Sequence, residues 1–325
     1  MNGQLLAAAP MEGLTTAVFR RLHHQYFGGT DLYYIPFITP TVEPKFTDRH
    51  LKELSPEVNS GIPVVPQLLS NRSADFIWAA KALQDLGYKE VNLNLGCPSG
   101  TVTAKGKGSG MLRDPVKLDA FLAAVFANAE GPISVKTRLG VEKPEEFTAI
   151  LDIYNRYPIC ELTIHPRVMR QLYRGQADRA AFAASLPGCR MPVCYNGDLI
   201  IERDVSAVSE RYPDLPAVMI GRALIADPSL VMRLTGGKAA DAKMLETFHD
   251  TLFVRYCEAF GDSRIAMLRM KEIWFYHLNL FENSEKTGKA IKKAKNAAEF
   301  QSAAAAVFRD CRVRANAMPL WFKPA

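Results

Sequence analysis

The chain has 325 residues, of which 48% are hydrophobic and 23% are charged, and its formal net charge is +6. This size and composition suit one large globular domain plus a small one, with a core large enough to enclose a cofactor. The longest apolar runs fall far short of the roughly 20 residues that span a bilayer, and no basic segment precedes an apolar stretch at the N-terminus. We therefore expect neither a membrane span nor a signal peptide.

The six cysteines are scattered, with no Cys-x-x-Cys pair among positions 97, 160, 189, 194, 257 and 311. This spacing argues against a metal site, and a disulfide framework is unusual in a chain of this size. We expect no metal, reduced thiols and a cytoplasmic location. Residues 241–325 contain 14 Lys or Arg against 10 Asp or Glu. Such a mild basic bias fits either a polyanionic partner or an ordinary solvated surface.

The first 235 or so residues alternate short β-rich runs with amphipathic stretches. Most of the β-rich runs are continuously apolar, as is typical of strands buried on both faces. Helical spacing of apolar residues is clear at 73–86, 114–128 and 145–157. The predicted strands are residues 5–9, 32–35, 63–68, 90–95, 132–136, 161–164, 192–195 and 217–220.

Eight such strand–helix units predict a (β/α)8 TIM barrel over residues 1–238. The rival is an open doubly wound sheet, which normally carries a Gly-x-Gly-x-x-Gly turn after its first strand. Here the first strand runs into Ala9-Pro10-Met11-Glu12-Gly13, which lacks that fingerprint.

The character of the chain changes after Gly236-Gly237. The remainder lacks strand-like runs and predicts helices at 244–260, 264–278 and 297–312, with a break at 261–263. Residues 239–325 are therefore expected to form a small C-terminal helical domain.

Polar residues cluster at the carboxyl ends of the predicted strands, where the functional residues of a barrel gather. A single polar residue at a strand end is usually only a solvated terminus, but seven of the eight ends carry candidates. They are Pro10 and Met11, Gln67, Asn94 and Cys97, Lys136 and Arg138, His165 and Arg167, Asn196-Gly197-Asp198, and Gly221-Arg222.

The last two of these ends suggest a phosphate site. Gly197 and Gly221 let the backbone approach an anion closely, and Arg222 adds positive charge. Lys136 would place a positive charge beside an electron-rich ring such as a flavin. The competing interpretation of Lys136 is a lysine that forms a Schiff base with a substrate. Neutral amides from Gln67 and Asn94 suit the pyrimidine edge of a flavin, so FMN is the favoured ligand.

Several runs, in order and at matching spacing, resemble the tRNA-dihydrouridine synthase family. The Gly-Cys-Pro run combined with the Lys-x-Arg run is the specific part of this resemblance. In the tail, Arg269-Met270-Lys271 is similar to the basic helix of the family's RNA-binding domain. The matching barrel runs are residues 9–13, 92–98 (Asn-Leu-Asn-Leu-Gly-Cys-Pro), 135–140 (Val-Lys-Thr-Arg-Leu-Gly), 196–198 (Asn-Gly-Asp) and 220–223 (Ile-Gly-Arg-Ala).

The resemblance implies that NADPH reduces bound FMN, and that the flavin N5 hydride goes to C6 of a flipped-out uracil in tRNA. Cys97 is then the acid that gives a proton to C5, a role that suits a thiol with an ordinary pKa near 8.5. The implied cofactor-binding residues are Ala9, Pro10, Met11, Gln67, Lys136, His165, Asn196, Gly197, Asp198, Gly221 and Arg222. The implied RNA contacts are Asn94, Arg138, Tyr173, Arg174, Arg269 and Lys271.

Two departures from the family pattern bear on the target nucleotide more than on the chemistry. Pro166 removes a backbone donor after strand six, and Asn92 stands where an acidic residue is usual. The glycine-rich segment 105–110 suits either a mobile lid or a solvated loop.

We expect a monomer. Two other functions are alternatives to tRNA reduction. One is a flavin barrel acting on a free small molecule, as dihydroorotate or enoate reductases do, and the other is a non-enzymatic RNA-binding module.

Overall fold

The computed structural model describes residues 3–319, and its centre is a closed barrel of eight parallel strands in sequence order. The predicted TIM barrel is confirmed. The strands are β1 (Leu5–Ala8), β2 (Leu32–Ile38), β3 (Val64–Leu68), β4 (Val91–Leu95), β5 (Ile133–Arg138), β6 (Leu162–His165), β7 (Val193–Asn196) and β8 (Ala217–Ile220).

Side chains along these strands alternate between two environments, as the pleat requires. Leu6 and Ala8 belong to the large core between the strands and the surrounding helices. Ala7 and Ala9 belong to a smaller cluster that includes Met219. Nearly every strand residue is therefore buried, which explains why the strands read as continuous apolar runs.

Strand β2 runs three residues beyond its predicted end. Its register with β3 shifts between Ile35 and Ile38, around Pro36. Proline has no N–H to give to a ladder and is tolerated in sheets at such irregularities, so Pro36 bends the strand without ending it.

In the described part of the chain, ten helices accompany the strands, and several begin with ordinary start signals. Asp114, for example, accepts a bond from the Lys117 N–H, and Pro115 opens the helix that follows. The helices are α1 (Ala17–Phe27), α2 (Asp48–Leu54), α3 (Ser73–Asp85), α4 (Gly100–Thr103), α5 (Pro115–Asn128), α6 (Phe147–Tyr154), α7 (Arg179–Ser185), α8 (Glu202–Arg211), α9 (Arg222–Ala226) and α10 (Leu230–Leu234).

Within residues 3–319, four helices follow the barrel: α11 (Ala242–Phe260), α12 (Ser263–His277), α13 (Glu285–Lys293) and α14 (Ala297–Asp310). The three predicted C-terminal helices are present to within about two residues at each end. The predicted break is Gly261, which ends α11 in the left-handed conformation at φ 67°. Helix α13 was missed because its lysine-rich sequence has only one fully buried residue, Ile291.

The C-terminal helices share a hydrophobic core with parts of the barrel. Phe19 and Phe27 of α1 and Ile225 of α9 pack in one cluster with Phe248 and Trp274. Removing the helices would expose this cluster. The domain division at 238/239 remains a prediction, and positions 1–2 and 320–325 of the predicted domains lie outside the described residues.

Three features of the described residues bear on the expected absences. No helix within 3–319 is both long and apolar enough to cross a membrane. No group of three or more His, Cys, Asp or Glu that suits a metal ion occurs in that range. All six cysteines are free thiols.

Candidate active site

A cavity of about 360 Å³ opens at the carboxyl ends of β1, β5, β6, β7 and β8. The sequence-predicted residues that line it are Ala9, Pro10, Met11, Lys136, His165, Tyr173, Arg174, Asn196, Gly197, Asp198, Gly221 and Arg222. Parallel strands end at a common rim, so residues far apart in sequence meet here.

Lys136 contributes a half-buried positive charge to the cavity wall. Its Nζ donates to Asn196 Oδ1 at 2.7 Å, and Asn196 Nδ2 in turn donates to the Met219 carbonyl at 2.7 Å. Burial, with a smaller contribution from the Arg138 charge, lowers the pKa of Lys136 to about 8. Among the described residues its hydrogen-bond partner is this neutral amide, so an anionic ligand would stabilise the ammonium group.

His165 is held as a neutral ring. Burial and the surrounding cationic side chains, Arg138 and Lys136 foremost, lower its pKa well below the ordinary value. Arg167 Nη1 lies 2.9 Å from His165 Nε2. Because a guanidinium only donates, Nε2 accepts and the proton is on Nδ1. His165 therefore offers the cavity an uncharged ring with one N–H donor.

Asp198 organises the side of the cavity predicted to bind phosphate. It has a positive φ of 47°, and its Oδ2 accepts from Arg167 Nη2 and from the Ala177 N–H, both at 2.7 Å. Its Oδ1 accepts from Arg222 Nη2 at 3.0 Å. Both oxygens are thus engaged with protein donors, and Asp198 holds Arg222 at the cavity.

Gly197 is needed for space. A Cβ there would lie 3.0 Å from the Ala177 Cβ and 3.2 Å from Pro166 Cδ, closer than most packed carbons. The bare backbone at Gly197 and the glycine at 221 leave room for a ligand beside Arg222.

The Cys97 loop follows β4 and is held from two sides. Asn94 Oδ1 accepts from the Gly96 and Cys97 N–H groups at 3.1 and 2.9 Å. The Cys97 carbonyl accepts from the Ser109 N–H at 3.1 Å and from Ser109 Oγ at 2.9 Å. Burial raises the pKa of the half-buried Cys97 thiol, with a lesser contribution from Glu12, so it stays protonated at neutral pH.

The segment predicted as a lid or solvated loop includes the support of this cysteine. Gly108, Ser109 and Gly110 are buried at the start of a 3₁₀ helix, Gly108–Arg113. Gly108 has φ 56°, and a Cβ there would lie 2.7 Å from the Cys97 carbonyl oxygen. Only 105–107 remain accessible, so the packed half of the segment holds the backbone of Cys97.

Gln67 lies beneath the cavity. Its Nε2 donates to Asn92 Oδ1 and its Oε1 accepts from Asn94 Nδ2, both at 2.7 Å. The fully buried Gln67 does not line the cavity. In this arrangement it orients Asn94, which in turn holds the Cys97 loop.

Arg138 joins the cysteine loop to the loop after β6. Its Nε donates to the Gly96 carbonyl at 3.0 Å, and its Nη1 donates to the Val168 and Leu172 carbonyls at 3.0 and 2.7 Å. Its guanidinium also lies 5.3 Å from the ring centroid of Tyr173, and that of Arg222 lies 5.1 Å from the same centroid. Tyr173, with 49% of its surface exposed, is thus flanked by two cations at the cavity mouth.

A sequence model described as dihydrouridine synthase matches residues 6–316. The chain belongs to the dihydrouridine synthase family. Members of this family are flavin-dependent oxidoreductases that act on a CH–CH bond.

Relatives of known description align with most of the chain. It is 32% identical to the probable tRNA-dihydrouridine synthase 1 of Synechocystis sp. over 69% of this chain and 62% of that protein, which is less than two thirds of its length. It is 31% identical to tRNA-dihydrouridine synthase B of Proteus vulgaris over 69% and 68% of the two chains. It is 27% identical to tRNA-dihydrouridine synthase B of Shewanella oneidensis over 83% and 85%.

Four of the six predicted RNA contacts do not line the cavity and are engaged within the chain. Asn94 and Arg138 bond to the backbone of the Cys97 loop. Arg269 Nη1 pairs with Glu272. Lys271 Nζ donates to the Lys292 and Ala294 carbonyls at the end of α13. Their role toward RNA remains a prediction.

Sequence reasoning missed the contribution of α12 to the cavity. Phe275 and Tyr276 line it together with Leu199 and Ile200 of the loop after β7. Phe275 is 61% exposed, on the same helix face as the exposed Ile265 and Leu268. An apolar residue off the buried stripe of an amphipathic helix is the sequence signal that was available.

Proposed function

We propose that this protein is an FMN-dependent tRNA-dihydrouridine synthase that reduces a uridine of tRNA to 5,6-dihydrouridine, with NADPH as the reductant. The observation that supports this most is the cavity at the barrel mouth, which combines Lys136 and His165 with arginine and glycine. Cys97 does not line this cavity, but it lies close enough to Lys136 for each to affect the pKa of the other. The family match and the tRNA-acting relatives support the same function.

The cavity suits FMN in size and chemistry. Its volume of about 360 Å³ lies in the range of small-molecule and cofactor sites. Lys136 would hold the electron-rich edge of the ring system, which supplies a hydride when the cofactor is bound and reduced. Gly197, Gly221 and Arg222 would hold the phosphate, and the neutral His165 would donate one hydrogen bond from Nδ1.

Cys97 would supply the proton that C5 of the uracil requires. A general acid must carry its proton at the working pH and lie in a fixed position. The raised pKa of the Cys97 thiol supports the first condition. The hydrogen bonds of the Cys97 backbone with Asn94 and Ser109 support the second, because they hold the residue in place.

The target base would have to leave its stack, which costs a few kcal/mol. Tyr173 at the cavity would offset part of that cost by stacking, and the exposed Arg174 would do so by contacting phosphate. Asn94, Arg138, Arg269 and Lys271 are further proposed RNA contacts, the last two within an RNA-binding region at 239–325. We also infer a monomer in the cytoplasm, where free thiols and tRNA occur together.

A free small molecule is the weaker proposal for the substrate. It gives the C-terminal helices no part in the site, whereas Phe275 and Tyr276 of α12 line the cavity.

The deciding experiment is nucleoside analysis of tRNA from a strain that lacks the protein, with site-resolved mapping of dihydrouridine. Loss of the nucleoside at one or more positions, restored by the wild-type gene, is expected. Unchanged dihydrouridine at every position would overturn the proposal. Purified protein without flavin absorbance would instead favour a non-enzymatic RNA-binding module.

A further inference from the structure

A second cavity, of about 590 Å³, lies between α12 and α13 and is closed at one side by the loop after β1. It shares two residues with the cavity at the barrel mouth, Phe275 and Tyr276. The two cavities are therefore neighbours with a common wall of two aromatic rings. Its volume also lies in the range of small-molecule sites. We refer to it as the α12–α13 groove.

The apolar part of the groove has the shape and composition of a stacking site. Phe275 is 61% exposed, and its ring meets Tyr276 edge to face with centroids 5.0 Å apart. Leu278 and the buried Ile291 complete the apolar lining. An exposed aromatic face of this kind accepts any nucleobase, because every base has a π-face.

Gly288 of α13 packs against Leu278, which directly follows α12. A Cβ at this position would lie 2.8 Å from Leu278 Cδ1, so a larger residue would require the Leu278 side chain to move. Lys271 fixes the far end of the same helix by donating to the carbonyls of Lys292 and Ala294. The walls of the groove are thus held by packing and hydrogen bonds.

The charged rim of the groove favours a phosphate-bearing ligand. Lys292 lines the groove, and Lys286, Lys289 and Lys293 stand exposed on the same helix. Within residues 3–319 none of the four forms an ion pair. Of the two acids that line the groove, Glu272 is already paired with Arg269. The other is Glu12, and a carboxylate of this kind accepts from exocyclic amino groups of bases.

We propose that the α12–α13 groove is a second nucleotide site, in which a base of the RNA substrate near the target uridine stacks on Phe275 while its phosphate meets Lys292. This inference rests on the proposed function, since the cavity next to the groove is where the target base would enter. It assigns to Phe275 a role in docking RNA, separate from the chemistry at Cys97.

The stacking is tested with flavin-loaded full-length enzyme and a tRNA transcript that carries 2-aminopurine, in turn, at positions flanking the mapped target. Stacking quenches 2-aminopurine, so one position is expected to dim on binding. Phe275→Ala should abolish that quenching and weaken binding about tenfold or more, whereas Phe275→Trp should retain both. Absence of quenching at every flanking position, or equal behaviour of the two variants, would overturn the inference.

The phosphate contact is tested with Lys292→Gln and a matched control, Lys89→Gln. Lys89 is exposed, lies two residues before β4 at the opposite end of the barrel, and forms no ion pair in the described part of the chain. Lys292→Gln is expected to raise the KM for tRNA roughly two- to fivefold and to lower the salt slope by about one, with kcat retained. Lys89→Gln should change neither. Equal effects of the two variants would overturn the contact.

The two proposals fail in different ways. If mapping finds no dihydrouridine that depends on this protein, the proposed function fails first. If dihydrouridine is made but Phe275→Ala and Lys292→Gln bind tRNA like the wild type, only the second nucleotide site is refuted.

Discussion

The barrel mouth and the C-terminal helices present their cations differently. Lys136, in the barrel, is half-buried, hydrogen-bonded to Asn196, and has a pKa lowered to about 8. The α13 lysines, such as Lys289 and Lys293, are exposed and form no ion pair within residues 3–319. A buried cation carries a desolvation cost that a bound anion offsets. An exposed cation attracts a polyanion over the electrostatic screening length, which shortens as the salt concentration rises.

This difference suits the barrel mouth to chemistry and the C-terminal helices to RNA docking. Side chains at the barrel mouth are fixed by buried hydrogen bonds, as a site for proton transfer and cofactor binding requires. The exposed α13 lysines form no ion pair within residues 3–319 and can adjust to a large nucleic-acid surface. Changes in the barrel should therefore act on turnover or flavin retention, and changes in the helices on RNA affinity and its salt dependence.

Replacing Cys97 should have the largest effect. Cys97→Ala removes the proposed acid, and general-acid steps contribute on the order of 100- to 10,000-fold, so turnover on tRNA should fall by that range while flavin is retained. Single-turnover oxidation of pre-reduced enzyme by tRNA measures this step. The matched control is Cys160→Ala, which removes a thiol that lies before β6, at the other end of the barrel. A Cys97→Ala enzyme that turns over at near the wild-type rate would show that the proton comes from elsewhere.

Replacing Lys136 should weaken flavin binding, and it should leave the Cys97 thiol protonated because the Lys136 charge lowers the pKa of that thiol. A hydrogen bond to a charged group contributes about 1.5–3 kcal/mol, so Lys136→Met should raise the Kd for FMN about 10- to 150-fold, as measured by titration of the apoprotein. The wild-type affinity should also fall as pH rises through about 8, where Lys136 loses its proton. The variant should lack this step, and an identical pH profile in both proteins would contradict the assignment.

The same lysine makes a prediction about stability. Its pKa in the folded protein, about 8, lies below its ordinary value of 10.5. Between these two values the unfolded chain binds more protons, so the free energy of unfolding of the flavin-free protein should rise with pH in that window. Urea unfolding at several pH values measures this contribution, and Lys136→Met should remove it.

Local sequence was sufficient to predict the barrel and not all of the site. Strands buried on both faces have a clear apolar signature, and only the irregularity at Pro36 hid the end of β2. Lys136, His165 and Asn196 were predicted as cavity residues because they end neighbouring strands. Gln67 also ends a strand, yet its amide is used by Asn92 and Asn94. Hydrogen bonds across the sheet decide that outcome, and no local pattern reports them.

The contribution of α12 depends on tertiary packing. Phe275 reaches the barrel mouth because α12 packs against α9, about 50 residues earlier in the chain. The loops after β6 and β7 are likewise joined by Asp198, which pairs with Arg167 and Arg222. The residue types at 167, 198 and 222 indicate a functional site, but the ion pairs of Asp198 with Arg167 and Arg222 form only because the barrel closes.

The smallest expected effect concerns the two basic residues of α12 that family resemblance assigns to RNA. Arg269 already pairs with Glu272, and Lys271 already caps the carbonyls at the end of α13. Binding RNA would require them to exchange these contacts, so Arg269→Gln and Lys271→Gln should each weaken tRNA binding by no more than about two- to threefold, with a small decrease in the salt slope. Filter binding at several salt concentrations measures both quantities.

Lys271→Gln should in addition lower Tm, because α13 loses the donor at its last turn. A double variant in which Lys289 and Lys293 of α13 are both neutralised is the comparison. If Arg269→Gln or Lys271→Gln weakened tRNA binding more than this double variant, internally bonded cations would contribute more to docking than exposed ones, contrary to expectation.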